Sequence, residues 1–217
     1  MAATTPEARR RALLESLARQ RPDEKTALDW LQGALWRIPG RPMRVSRLLQ
    51  LRYDGVPRPS PRLLRGTAVV RAGTPADIEG MSRCEGKPAS EFSRRFEAGD
   101  ACVLAEANGT IIGYEWFSTA SHHDEAYFGF RIEIEDGAVY AYDGYVVPEH
   151  RLTGTWMRFQ QYIGTWVEQN NRTSVITLIE ISNRASLTAH LRLGFSPYCE
   201  VTVVSLFGHR WIRRKPL

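Results

Sequence analysis

The spacing of apolar positions changes several times along the chain, and each change marks an element. Thr5-Pro6-Glu7 supplies a capping hydroxyl, a first-turn proline and an early acid, and Leu13, Leu14 and Leu17 follow on one face, so a helix is predicted there. Asp23 opens a second helical spacing with Leu28, Leu31 and Leu35, flanked by Trp30 and Trp36. Residues 39–66 are rich in Pro, Gly and Arg; Arg44–Tyr53 fits either a helix or an extended arm, and V-P-R-P-S-P-R at 56–62 is an extended linker. The boundary between a basic helical extension, 1–66, and a main domain, 67–217, is placed here.

Beyond it comes a short strand at Thr67–Arg71, a helix started by Thr74-Pro75, and a helix with Phe92 and Phe96 one turn apart. Ala101–Ala105 and Thr110–Thr119 are β-rich and meet at Asn108-Gly109, a strong hairpin signal. Phe128–Ile134 and Ala138–Val147 suggest a second hairpin around Asp136-Gly137. Trp156, Phe159, Ile163 and Trp166 then fall at helical spacing, and Ser174–Ile181 is apolar enough for a buried strand. Ser182-Asn183 caps a helix that stops at Gly194, and Val201–Phe207 and Arg210–Arg213 close the chain as strands. This order, β-α-α-β-β-β-β-α-β-α-β, predicts an α/β (α+β) fold: a mixed central sheet of about six to seven strands flanked by helices, with an N-terminal helical extension.

With 217 residues, 43% of them hydrophobic, the chain has enough apolar surface for a proper core. No window approaches the roughly 18 to 20 apolar residues that span a bilayer, and M-A-A-T-T-P-E-A-R-R lacks the apolar centre of a secretion signal, so a cytoplasmic location is expected. Cys84, Cys102 and Cys199 are widely spaced and odd in number, against a disulfide framework or a zinc site. Residues 1–65 hold 14 Lys+Arg against 6 Asp+Glu, and the remainder 15 against 18, so the net charge of +5 belongs to the first third. A solvated basic face explains this asymmetry, and peripheral contact with an anionic membrane is the alternative. No nucleic-acid motif accompanies it, and no nucleic-acid partner is expected.

The stretch Tyr140–Gly164 carries the chemistry: a β-branched and aromatic run, a break at Pro148, then Arg151-Leu152-Thr153-Gly154 leading into the helix. The first N–H groups of a helix have no intrahelical partner and sit at the positive end of its dipole, which makes this junction an anion site. Arg151-x-x-Gly154 after V-x-P-E-x resembles the acyl-CoA signature of the GCN5-related N-acetyltransferases, Q/R-x-x-G-x-G/A, with Trp156 in place of the last small residue. Asn183-x-x-Ser186 followed by Gly194-Phe195 is similar to the family's second motif, and the element order over about 67–213 matches as well.

The resemblance implies acetyl-CoA as co-substrate and no metal. The pyrophosphate would lie on backbone amides of Arg151, Leu152, Thr153, Gly154, Thr155 and Trp156, the thioester beside Tyr145, Val146 and Val147, and the pantetheine arm along Asn183 and Ser186. Asp143 interrupts an aromatic strand and is the first candidate base, its pKa expected to be raised by apolar surroundings, with Glu133 and Glu135 as runners-up. His190 stands where the family has its tyrosine acid. His122-His123-Asp124 suggests a metal only faintly, for want of a further ligand. The expected activity is transfer of an acyl group, normally acetyl, to a primary amine of a small molecule such as an amino sugar. A protein or peptide acceptor, and a non-catalytic module that binds acyl-CoA or a partner, are the competing readings, and a homodimer is compatible with all three.

Overall fold

The computed structural model describes residues 5–19, 43–64 and 66–217. In chain order its regular elements are α1 (Pro6–Arg19), β1 (Met43–Asp54), β2 (Val69–Ala72), α2 (Ile78–Glu85), α3 (Ala89–Glu97), β3 (Ala101–Ala107), β4 (Thr110–Ser118), β5 (His122–Glu125), β6 (Phe130–Glu133), β7 (Ala138–Val146), α4 (Thr155–Gln169), β8 (Ser174–Glu180), α5 (Arg184–Leu193), β9 (Ser196–Leu206) and β10 (His209–Pro216). The helix expected from Asp23 lies outside the described residues. Arg44–Tyr53, open between helix and arm, is a strand. No helix among the described residues is long and apolar enough to cross a membrane.

The chain forms two compact units, one from residues 53–123 and 133–177, the other from 1–52, 124–132 and 178–217. In the first, β2, β3, β4 and β7 form an antiparallel array, and β8 joins β7 in parallel. Asn108 and Gly109, at φ 50° and 73°, make the two-residue turn between β3 and β4, as their sequence predicts. Met81 of α2 and Phe92 of α3 pack on Leu104, Tyr114 and Trp116 of the sheet, with Phe92 edge-on to Tyr114 at 5.3 Å. Phe159, Ile163 and Val167, four residues apart, are fully buried on α4, and Trp166 meets Phe117 at 5.0 Å.

The expected pairing of Phe128–Ile134 with Ala138–Val147 does not form. β6 pairs with β5 in a two-stranded sheet, while β7 lies between β4 and β8. Asp136-Gly137 is a hairpin signal, but a strand buried between two neighbours gains more than a two-stranded ribbon can offer. Gly137 instead turns the chain, and its carbonyl accepts from the Thr173 amide at 2.7 Å.

In the second unit β9 is flanked by β10 and β1, both antiparallel to it. α1 lies against β9 and α5. Arg184 donates to the Leu17 carbonyl at 2.6 Å, satisfying an acceptor in the last turn of α1, and Arg10 donates to the Gly194 carbonyl at 3.1 Å. Leu17, Leu48, Leu187, Leu191, Phe195 and Val201 are buried here.

Candidate active site

β7 delivers the chain to the turn, and it does so bent. Its parallel register with β8 covers Ala138–Ala141, whereas its antiparallel register with β4 jumps from Trp116↔Tyr142 to Tyr114↔Tyr145. One extra residue is therefore accommodated on β7, and Asp143 takes a left-handed conformation, φ 46°, at this bulge. The Val147 amide is already donated to the Ile112 carbonyl at 2.9 Å. Hydrogen-bonded pairs alternate along an antiparallel ladder, so Tyr145, in register with Tyr114, faces the same neighbour, and Val146 is left as the strand amide directed away from β4.

After a 3-10 turn at Pro148–His150, Arg151 folds back to donate from Nε to the Val146 carbonyl at 3.0 Å, and Leu152 is 98% exposed. Gly154 is the N-cap of α4 with φ 83°, a conformation that a side chain strains. The first ladder bond of α4 runs from the Arg158 amide to the Gly154 carbonyl at 3.1 Å, so the amides of 154–157 precede the ladder and gather at the positive end of a 15-residue helix. The hydroxyls of Thr153 and Thr155 are 2.9 Å apart, and Thr153 also donates to the His150 carbonyl at 2.8 Å. The turn is thus held by its own side chains while its apex stays open.

Trp156, the departure from the small residue of the motif, has an identifiable role. Its indole hydrogen-bonds to Glu115 of β4, and Gln160, one turn further along α4, places Nε2 at 3.0 and 2.9 Å from the two carboxylate oxygens. Glu115 is 3% exposed; burial pushes its pKa up to about 8, against the smaller opposing effect of these two hydrogen bonds. A buried acid thus ties the first two turns of α4 to the sheet. The signal was visible in G-Y-E-W-F, where one acid interrupts an apolar strand.

Asp143 is not in the state that its strand neighbours suggested. Burial would raise its pKa, but Arg95 and Lys87 outweigh burial and hold it below the ordinary carboxylate range. Lys87 Nζ lies 2.7 Å from one carboxylate oxygen and Arg95 Nη1 2.5 Å from the other. An acid locked between two cations is a weak proton acceptor at neutral pH. Glu85, at the end of α2, differs: burial first, then the charge of Asp143, raise its pKa, and Lys87 at 3.2 Å only partly offsets them. Its side chain is 20% exposed. The Tyr114 hydroxyl donates to it, and Tyr114 pairs in register with Tyr145, which brings this carboxylate alongside the bend in β7. Glu85 carried no periodic or motif signal, since only the fold brings the α2–α3 turn to that strand. Glu133 and Glu135 remain near the end of β6.

Asn183, Ser186 and His190 belong to the other unit. Asn183 is the N-cap of α5, accepting from the Ser186 amide at 3.2 Å. His190 is buried, its Nδ1 2.8 Å from the Ser186 carbonyl and its ring 5.1 Å from that of Phe195. Burial drives its pKa down to about 4, overriding that hydrogen bond, so the imidazole is neutral at pH 7. His123 lies against the rings of Tyr142 and Tyr140, at 4.2 and 5.0 Å, and among the described residues no group of three His, Cys, Asp or Glu is placed to hold a metal ion.

No family model matches the chain. It is 27% identical over 121 residues to the L-amino acid N-acyltransferase MnaT of Escherichia coli, a match that covers 56% of this chain and 64% of that protein. The chain therefore aligns with a little under two thirds of the length of this curated relative. Among solved structures, a protein described as a GNAT-family acetyltransferase from Novosphingobium aromaticivorans superposes with a TM-score of 0.54 at 16% identity, over 78% of this chain and 70% of that one. A conserved protein of unknown function from Staphylococcus epidermidis gives 0.54 at 13% identity, over 85% and 69%. At such identities these two likenesses speak for the fold.

Proposed function

We propose that the chain is a member of the GCN5-related N-acetyltransferase superfamily and transfers an acyl group from a coenzyme A thioester to a primary amine of a small molecule; the 27% identity to an N-acyltransferase and the shared fold support this reading. The observation that carries this reading is the turn at Arg151–Thr155, with a left-handed Gly154 and open amides at the head of α4. Those amides fit a pyrophosphate; the chemistry supplied by the bound co-substrate is an activated acyl carbon. Val146 would donate a strand amide to the thioester carbonyl, which stabilises the oxyanion as the amine adds.

Glu85 serves as the base. It takes a proton from the incoming ammonium, directly or through one water; the neutral amine adds to the thioester carbonyl, the C–S bond breaks as the oxyanion collapses, and the surplus proton on nitrogen passes to the thiolate or to solvent. The departing thiolate has a conjugate acid near pKa ~8.5, so it leaves without obligatory protonation, and a neutral, buried His190 is not required as the acid. His190 is assigned to holding the end of α5 against Phe195. The acidic surplus of the cluster, Glu85, Glu91 and Asp143 against Lys87 and Arg95, favours a cationic acceptor. That the E. coli relative is named for L-amino acids, themselves small primary amines, is in keeping with this acceptor class.

Two experiments test the proposal. Gly154→Val places a β-branched side chain at φ 83° in the turn, and calorimetry should show the dissociation constant for coenzyme A raised at least tenfold, about 1.4 kcal/mol. Unchanged affinity in a folded variant would remove the turn as the binding site. Against a panel of small amines, release of free thiol from acetyl-CoA distinguishes an enzyme from a module that only binds. With an accepted amine, Glu85→Gln should abolish the low-pH limb of the rate profile and lower kcat roughly 10- to 1000-fold, while Asp143→Asn should leave that limb in place. Survival of the limb in Glu85→Gln would transfer the role of base elsewhere.

A further inference from the structure

The unit built from residues 1–52, 124–132 and 178–217 contains a cavity of about 60 Å³ that the acyl-transfer site does not use. Arg44, Ser46, Tyr127, Phe128, Ser205 and Arg210 line it. Three of these stand abreast on adjacent strands: Ser205 of β9 is in register with Arg44 of β1 on one side and with Arg210 of β10 on the other. The two arginines are thus two strand spacings apart, about 10 Å between Cα atoms, with a hydroxyl between them.

The guanidinium group of Arg44 is held in place. Arg44 donates from Nε to Ser46 Oγ at 3.1 Å, and Ser46 is 2% exposed. The other side of Arg44 is fixed by stacking, with Cζ 3.8 Å from the centroid of Tyr127 and 5.2 Å from that of Phe128. Arg210 packs on Gly129, which has φ 72°, and a Cβ at that position would collide with its guanidinium group. Two other arginines of this unit have acidic partners, Arg47 with Glu200 and Arg131 with Asp124. Arg44 and Arg210 have none among the described residues. Two like charges flanking one hydroxyl repel each other until an anion lies between them, and guanidinium is the group best matched to a phosphate or carboxylate oxygen pair.

We propose that this cavity binds a small dianionic oxyanion, either inorganic phosphate or the terminal phosphate of a small metabolite, held by the Nη groups of Arg44 and Arg210 and by the Ser205 hydroxyl. The site is independent of the amides at Gly154. Calorimetry on the full chain with inorganic phosphate, and separately with glycerol 3-phosphate, should give saturable binding. Arg44→Gln and Arg210→Gln should each weaken it at least tenfold, while Gly154→Val leaves it unchanged. Arg210 is exposed, so its variant is expected to fold as the parent does even if Arg44→Gln does not. Tighter binding of glycerol 3-phosphate than of phosphate identifies a phosphomonoester as the ligand; equal or weaker binding identifies the free ion. The proposal is overturned by no saturable heat up to about 20 mM of either probe, by an equal response to acetate, or by binding that survives Arg210→Gln and is lost in Gly154→Val.

Discussion

Replacing Glu115 by glutamine is expected to flatten the pH dependence of folding between about pH 4.5 and 8 and to leave the variant more stable than the parent at pH 8.5. The carboxyl is buried and its pKa stands at about 8, against an ordinary value of 4.5 that the unfolded chain regains. An acid whose folded pKa is raised keeps its proton in the fold while the unfolded chain releases it. Its full contribution is therefore present below pH 4.5, drains away as pH rises towards 8, and is gone above that. At about 1.4 kcal/mol per unit, the window amounts to about 5 kcal/mol at most. Glutamine also suits the surroundings: its carbonyl can still accept from the Trp156 indole, Gln160 Oε1 is buried without a partner among the described residues, and an amide at 115 can donate to it once the Gln160 side chain is turned over. Denaturant midpoints for parent and variant at pH 5, 7 and 8.5 decide the matter. Parallel curves for the two proteins would show that Glu115 does not titrate in this range.

The same residue shows where local pattern is informative and where it stops. An acid inside G-Y-E-W-F is conspicuous because an apolar strand has no other reason to carry one, and the Arg-x-x-Gly turn announces itself because left-handed glycine and a helix start are local properties. The hairpin at Asn108-Gly109, the helix cap at Asn183 and the buried stripe of α4 were legible on the same ground. Asp143 illustrates the opposite case. Its strand neighbours are aromatic, but its charge state is set by Lys87 and Arg95, 56 and 48 residues earlier in the chain. The pairing of β6 was misjudged because a turn signal says that the chain reverses, not which strand it then meets. His190 had the right spacing for an acid, yet its state is decided by its burial on α5, which a single half-apolar helix does not reveal.

Truncation of the N-terminal region should separate two contributions. Removing residues 1–19 takes away α1, with the buried Leu17 and the bonds from Arg184 and Arg10, and is expected to lower the melting temperature while leaving a single cooperative transition. Removing residues 1–54 should abolish that transition. β1 pairs with β9 in register from Met43↔Leu206 to Arg52↔Ser196, and it buries Leu48, Leu49 and Leu51, at 1%, 5% and 0% exposure. Burial of one leucine is worth about 1.5 to 3 kcal/mol, so three approach the 5 to 15 kcal/mol that hold a typical domain together. Loss of the strand also strips β9 of a row of backbone partners along one edge, and unpaired edges of that length recruit other chains. The 1–54 deletion is therefore expected to aggregate or to melt without cooperativity in calorimetry and circular dichroism. A monomeric, cooperatively melting 55–217 fragment would mean that β1 is an addition to a unit already complete without it.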